Sequence, residues 1–210
     1  MSSNDFDRKQ HWETVYSNKA AEETSWYQPV PRLSLSMIAN TGFGRDAALV
    51  DIGGGASRLV DHLLDQGYRD LTVLDISSAA LANAARRLGD KAGLVTWIEA
   101  DVTTFSPPRQ FDLWHDRAAF HFLTEAEDRQ KYLEVLQKAL VPGGQAILAT
   151  FAPGGPAKCS GLDIVQYDAK RLGGELGPEF VLMEQQEERH VTPSGGEQLF
   201  NFFRFKRRSL

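Results

Sequence analysis

Short apolar runs alternate along the chain with stretches whose apolar residues return every three or four positions. Residues 47–52 form one such run. It ends at Gly53-Gly54-Gly55 and reads as a buried strand running into a tight turn. Past Ser57, an expected N-cap, Leu59, Val60, Leu63 and Leu64 repeat at helical spacing up to Gly67. Residues 71–76 predict a second strand. Ser77 or Ser78 then caps a helix with Leu81, Ala84, Ala85 and Leu88 turned inward and Gly89 at its end. Residues 94–98 and 111–115 predict strands three and four. Thr124 and Glu127 have capping-box spacing ahead of a helix carrying Leu133, Leu136 and Leu140. Pro142-Gly143-Gly144 is expected to stop that helix before a fifth strand at 146–151. A Gly/Pro-rich loop, 153–161, leads to a helix near 167–176. Residues 180–191 and 198–205 flank Pro193-Ser194-Gly195-Gly196 as an antiparallel hairpin.

Five β–α alternations predict an α/β fold, a doubly wound and mostly parallel sheet with helices on both faces. The terminal hairpin adds antiparallel pairing at one edge. Residues 1–46 read as a helical lead-in, with Pro31 opening a helix that Gly42 closes. Residues 47–210 are expected to be the body of a single compact domain.

Composition narrows the function. The chain has 210 residues, 42% hydrophobic and 24% charged, which excludes a disordered chain, a collagen and a disulfide scaffold. A net charge of −5 argues against broad nucleic-acid backbone binding. The single cysteine, Cys159, cannot form an internal disulfide and fits a reducing compartment. Residues 1–9 are polar and lack an apolar signal core. No apolar run approaches the ~20 residues of a membrane helix. A cytoplasmic location with no membrane partner is therefore expected. The basic end, Arg204, Lys206, Arg207 and Arg208, reads as a solvated strand terminus.

In this fold class, ligands sit at the carboxyl ends of the strands beside the first one. The turn Gly53-Gly54-Gly55 lies there, where glycines let backbone approach a ligand. Asp75 ends the second strand roughly 20 residues on, the position of a ribose-diol acceptor. Its alternative is a cap for the next helix. A dinucleotide fingerprint wants a third glycine where this chain has Arg58. Asp101, after the third strand, can accept the adenine amino group, and the backbone N–H of Val102 can meet a ring nitrogen. The pair Asp75 and Asp101 favours an adenosylmethionine site over NAD(P) bound to an oxidoreductase. A non-catalytic scaffold would need neither carboxylate.

The series VDIGGGAS, VLDIS, EADV, FDLWHDRAAF and ALVPGG resembles that of class I S-adenosylmethionine-dependent methyltransferases. The resemblance implies a seven-stranded sheet with the last strand inserted antiparallel between the fifth and sixth. It implies S-adenosylmethionine as methyl donor and S-adenosylhomocysteine as product. It also implies residue roles: Gly53 and Gly55 against the methionine part, Asp51 near its ammonium, Asp75 on the ribose and Asp101 on the adenine amine. Ile76 and Val102 fall in the same cofactor set. The lead-in His11-Trp12-x-x-x-Tyr16, followed by Ser25-Trp26-Tyr27, resembles that of thiopurine-type methyltransferases and of seven-strand protein-lysine methyltransferases. A small-molecule nucleophile is the expected substrate, with a protein side chain as the alternative.

Methyl transfer is an in-line displacement whose reactivity the cofactor supplies. A hydroxyl or ammonium nucleophile would need a base near the methyl group. His115, Asp116 and Arg117, at the end of the fourth strand, are the catalytic candidates, with His115 also near the cofactor. Arg117 can pair with Asp116 or bind an anionic substrate. Trp12, Tyr16, Trp26 and Tyr27 form a candidate aromatic lid, offering cation–π contact to the sulfonium. His121, Phe151 and Cys159 complete the expected substrate wall. His190 reads as structural, and no metal-ligand cluster is expected.

Overall fold

Residues 7–209 are described here from a computed structural model; residues 1–6, the start of the polar opening stretch, and Leu210 lie outside that description. The lead-in forms α1 (Arg8–Asn18), a short 3-10 turn and α2 (Arg32–Ala39), the last beginning just after Pro31. The body follows as β1 (Leu49–Ile52), α3 (Leu59–Asp65), β2 (Leu71–Asp75), α4 (Ser78–Leu88), β3 (Val95–Glu99), β4 (Phe111–Arg117), α5 (Ala126–Ala139) and β5 (Leu140–Phe151). A two-residue pair, β6 (Lys158–Cys159) and β7 (Leu162–Asp163), folds the Gly/Pro-rich loop on itself. Then come α6 (Ala169–Leu176), β8 (Phe180–Val191) and β9 (Glu197–Arg207).

Seven strands form one sheet in the order β3-β2-β1-β4-β5-β9-β8. The first five pair in parallel, and β9 runs antiparallel between β5 and β8. This is the doubly wound sheet and inserted hairpin expected above. Each face buries its own core. Leu59, Val60 and Leu63 of α3 and Met37 and Ile38 of α2 cover one face, and α5 and α6 cover the other with Tyr132, Leu136 and Leu172. Alternation along β4 therefore decides what each side chain meets: Leu113 joins the α2/α3 side and Trp114 the α5 side.

Several local expectations need correction. Ser57 is not the N-cap of α3; Arg58 is, while the Ser57 hydroxyl accepts from Leu59 N. The cap before α5 is Glu125 without a side-chain bond, so Thr124 and Glu127 form no capping box. Ser77 does cap α4, accepting from Ala80 N. Leu140 opens β5 rather than extending α5, because its partner Phe111 on β4 is already in place. The Pro142-Gly143-Gly144 turn is a bulge inside that pairing, which resumes at Leu113 opposite Gln145. Gly143 takes φ +80° there, open to glycine at little cost.

Candidate active site

The strand ends converge beside the glycine turn. Asp51 on β1 lies directly opposite His115 on β4 in the parallel ladder. Their side chains meet at 2.6 Å, His115 Nδ1 to Asp51 Oδ1. The other ring nitrogen, Nε2, is 2.9 Å from Ser34 Oγ on α2. A carboxylate only accepts, so in the neutral ring Nδ1–H donates to Asp51 and Nε2 accepts the serine hydroxyl. Asp51 Oδ2 is buried without a hydrogen-bond partner.

Gly53 adopts φ +65°, and Gly53 N and Gly54 N both donate to Leu74 O, which folds the turn over the end of β2. A side chain on Gly55 would meet Ala80 Cβ at 2.6 Å and Asp75 Oδ2 at 2.8 Å. Asp75 is buried and accepts from Gly55 N at 3.0 Å and Ser77 N at 2.9 Å. Burial raises its carboxyl to about 6, only partly offset by those two bonds. It thus does steady the start of α4, the alternative role weighed above, yet it also lines the main cavity.

That cavity holds Asp75, Ile76, Asp101 and Val102 at one end and Trp26, Arg117, Phe122 and Cys159 at the other. Gly53 and Leu74, and Trp12 and Tyr16 from α1, complete its lining. Asp101 accepts from Thr103 N at 2.8 Å and from Thr103 Oγ1 at 2.7 Å, which fixes its carboxylate. Trp12 stacks on Tyr16 with centroids 6.0 Å apart, and both meet Trp26 edge-on. Phe122 meets Trp12 edge-on at 5.0 Å. A smaller cavity on the other side of the turn is lined by Tyr27, Ser34, Asp51, Gly54, Arg58 and His115, and shares Gly53, Trp26 and Arg117 with the first.

The catalytic candidates separate. His115 does not line the main cavity, and both its ring nitrogens are engaged, so it is no available proton acceptor in this arrangement. Asp116 points to the opposite face of β4. It accepts from Ala119 N, Phe120 N and the Tyr132 hydroxyl, the last at 2.6 Å, and is fully buried. It is therefore out of reach of the cavity and of Arg117, and the expected Asp116–Arg117 pairing is absent. Burial raises its carboxyl to about 6, against the Tyr132 bond, which lowers it. Arg117 alone of the three reaches the cavity. Tyr27 lies in the smaller cavity rather than over the main one. His121 and Phe151 sit behind the wall, both fully buried and packed ring to ring at 4.8 Å. His190 Nε2–H donates to the backbone carbonyl of Ser25 at 2.7 Å.

Two lead-in residues were not singled out from sequence. Glu13 on α1 accepts from Ser77 Oγ at 2.6 Å and Ala79 N at 3.0 Å, and also from the Ser78 hydroxyl, so α1 is docked on the start of α4. Those donors lower its carboxyl to about 2, the Ser77 bond most. Arg8 pairs with Asp101 and Asp128 at the Asp101 end of the main cavity. Only the helix-N-terminal serines, waiting for an acidic partner, signalled the first of these contacts in the sequence. Among the described residues, no group of three or more His, Cys, Asp or Glu side chains is placed to hold a metal. Among the same residues, no helix is long and apolar enough to cross a membrane.

The strand order, the glycine turn and the carboxylates ending β2 and following β3 are those of a class I S-adenosylmethionine-dependent methyltransferase. Residues 50–146 match the family profile described as a methyltransferase domain. The match covers a little under half of the chain, and the cofactor of that class of domain is S-adenosylmethionine. It is 24% identical over 155 residues to the eEF1A lysine and N-terminal methyltransferase of Danio rerio, covering 72% of this chain and 22% of that protein. The chain thus spans about a fifth of the length of that relative. Its fold is shared with a structure from the conversion of a disulfide bond into a thioacetal group during echinomycin biosynthesis. That pair has TM-score 0.76 and 19% identity, over 96% of this chain and 92% of the other. The N-methyltransferase NodS of Bradyrhizobium japonicum, in complex with S-adenosylhomocysteine, superposes with TM-score 0.69 at 17% identity, over 96% and 99% of the two chains. The residues present fit this cofactor. The orphaned Asp51 Oδ2 suits an ammonium, Gly53 lines both cavities, and Asp75 and Asp101 share one of them; Gly55 lines neither, its missing Cβ instead letting the turn pack against Ala80 and Asp75.

Proposed function

We propose that this chain transfers a methyl group from S-adenosylmethionine to a small-molecule nucleophile. The observation that carries this reading is the roof over the cavity. Trp12, Tyr16, Trp26 and Phe122 pack on one another above the space between Asp75 and Arg117, and Cys159 closes its far wall. An enclosed, aromatic-lined space suits a compact acceptor and excludes water from a cationic centre.

In this reading Asp75 accepts the ribose hydroxyls and Asp101 the adenine amine, with Ile76 and Val102 against the ring. Asp51 Oδ2 takes the ammonium, and Gly53 admits the methionine part. The cofactor supplies an activated sulfonium methyl. The chain supplies alignment and desolvation. The carboxylate nearest the acceptor end, that of Glu188, is paired with Arg117. Burial holds the Cys159 thiol up at about 11 and neutral His121 down at about 3, and His121 lies behind the wall. An acceptor that brings its own lone pair, a thiolate or a neutral amine, suits such a site better than a hydroxyl that needs a base.

The Danio rerio relative, named for lysine and N-terminal methylation of eEF1A, supports a protein acceptor as the second reading. The test is to incubate the purified chain with methyl-labelled cofactor and a cell extract split by dialysis. Label in the diffusible fraction supports the small-molecule reading. Label confined to retained protein overturns it in favour of the second.

A further inference from the structure

We infer that the methyl acceptor carries a carboxylate, and that Arg117 is the residue that holds it. The inference rests on the methyltransferase reading above and specifies its substrate class.

Arg117 ends β4 and lines both cavities, where the acceptor end of the main one meets the smaller one. Its guanidinium lies 4.7 Å above the Phe200 ring, and Nη1 donates to Trp26 O at 2.9 Å. Nε and Nη2 are buried and have no hydrogen-bond partner. The carboxylate paired with it, that of Glu188, lies 3.8 Å away and also accepts from Gln28 Nε2 at 3.0 Å. Burial lowers the guanidinium to about 10, so the group remains a cation at neutral pH. A buried cation with most of its fork unmet is costly unless a partner completes it.

The surroundings leave that partner to a ligand. Asp51 is the other carboxylate within electrostatic reach of Arg117 but makes no hydrogen bond to it, and burial keeps Cys159, His121 and His190 neutral near pH 7. The second arginine on the main cavity, Arg8, is already committed to Asp101 and Asp128 at the opposite end. The planar fork of a guanidinium matches a carboxylate in bidentate fashion. A lysine ammonium brought to the same place would face a like charge and leave the two unpartnered donors of the guanidinium unmet. The unmet fork at this end therefore favours an acid over a lysine side chain.

The carboxylate of the cofactor's own methionine part is the other source of the same chemistry, and the experiment separates the two. Wild type, Arg117→Gln and Arg117→Lys are each titrated with S-adenosylhomocysteine. The loaded complexes are then titrated calorimetrically with 3-mercaptopropionate and benzoate, each against its neutral amide. The expected result is that the acids bind wild type at least about tenfold more tightly than their amides. Arg117→Gln should erase that preference and Arg117→Lys should retain part of it. Both variants should hold S-adenosylhomocysteine within about twofold of wild type. Equal binding of acids and amides, or of neither, on loaded wild type overturns the inference. So does a tenfold loss of S-adenosylhomocysteine affinity in Arg117→Gln, which would assign the guanidinium to the cofactor. Failure of wild type to bind S-adenosylhomocysteine would instead sink the methyltransferase reading itself.

Discussion

His115 Nδ1 lies 2.6 Å from Asp51 Oδ1, a contact between directly facing residues of β4 and β1 that is buried from solvent on both sides. It turns a histidine that the sequence offered as a base into a brace for a carboxylate. With Oδ1 occupied by the ring, Asp51 is left with one free oxygen, Oδ2, beside the glycine turn. The brace extends to Ser34, so the lead-in helix α2 is wired to the same carboxylate.

Removing the ring should therefore be felt in cofactor binding. His115→Ala is expected to weaken S-adenosylhomocysteine binding about tenfold, or about 1.4 kcal/mol, because Asp51 loses the partner that orients it. Calorimetric titration reads this directly. Unchanged affinity with collapsed turnover would restore His115 as a catalytic residue.

Asp75 makes the same binding pH-dependent. Its native carboxyl is raised from 3.8 to about 6 by burial, so it takes up a proton as the pH falls through about 6. Binding of a ribose diol needs the carboxylate, and affinity should decline from pH 7 to pH 5. In the unliganded protein the sign is opposite. A raised carboxyl favours the fold most below the unfolded value of 3.8, and that contribution is lost as pH climbs to about 6. Asp75→Asn should bind more weakly at pH 7 and show a flatter pH profile. A profile as steep as that of wild type would place the titrating group elsewhere.

Glu13 should govern how firmly the roof stays in place. Its carboxylate, held down at about 2, remains ionised throughout the working range and keeps four donors at the start of α4 occupied. In α1 the one buried side chain is that of Tyr16, so little apolar contact would replace this anchor. Glu13→Ala is expected to speed amide exchange across α1 and raise the dissociation rate of S-adenosylhomocysteine several-fold, roughly. Exchange rates equal to wild type would mean that the Trp12, Tyr16 and Trp26 rings hold α1 by themselves.

Asp116 predicts a stability effect instead. Tyr132 donates its hydroxyl to Asp116 Oδ2 at 2.6 Å and accepts from Trp114 Nε1 at 2.8 Å, all within the core. Tyr132→Phe leaves both partners short of a bond and should cost about 1–3 kcal/mol of unfolding free energy, with cofactor affinity preserved. Urea denaturation monitored by tryptophan fluorescence measures the first and calorimetry the second. A stable variant that no longer binds S-adenosylhomocysteine would put this network in the site after all.

Hydrophobic periodicity, glycine turns and one acidic strand end made the elements and their type legible, because each is a contest decided within a few residues. The hairpin of β8 and β9 was readable from Pro193-Ser194-Gly195-Gly196 between two alternating runs. The same local reading failed at Leu140. There a strand begins at once because Phe111, 29 positions earlier in the sequence, offers backbone partners. It failed again at the end of β4. Trp-His-Asp-Arg reads as one cluster of chemistry, but a strand sends neighbouring side chains to opposite faces. Asp116 went to Tyr132 under α5, His115 to Asp51 and Ser34 under α2, and Arg117 stayed with the cavity. The sequence by itself determined the fold class and pointed to the two carboxylates, Asp75 and Asp101, that line the main cavity. Only the tertiary structure decided which charged groups were already satisfied, because pairing depends on residues such as Ser34, Tyr132 and Glu188 that distance along the chain does not reveal.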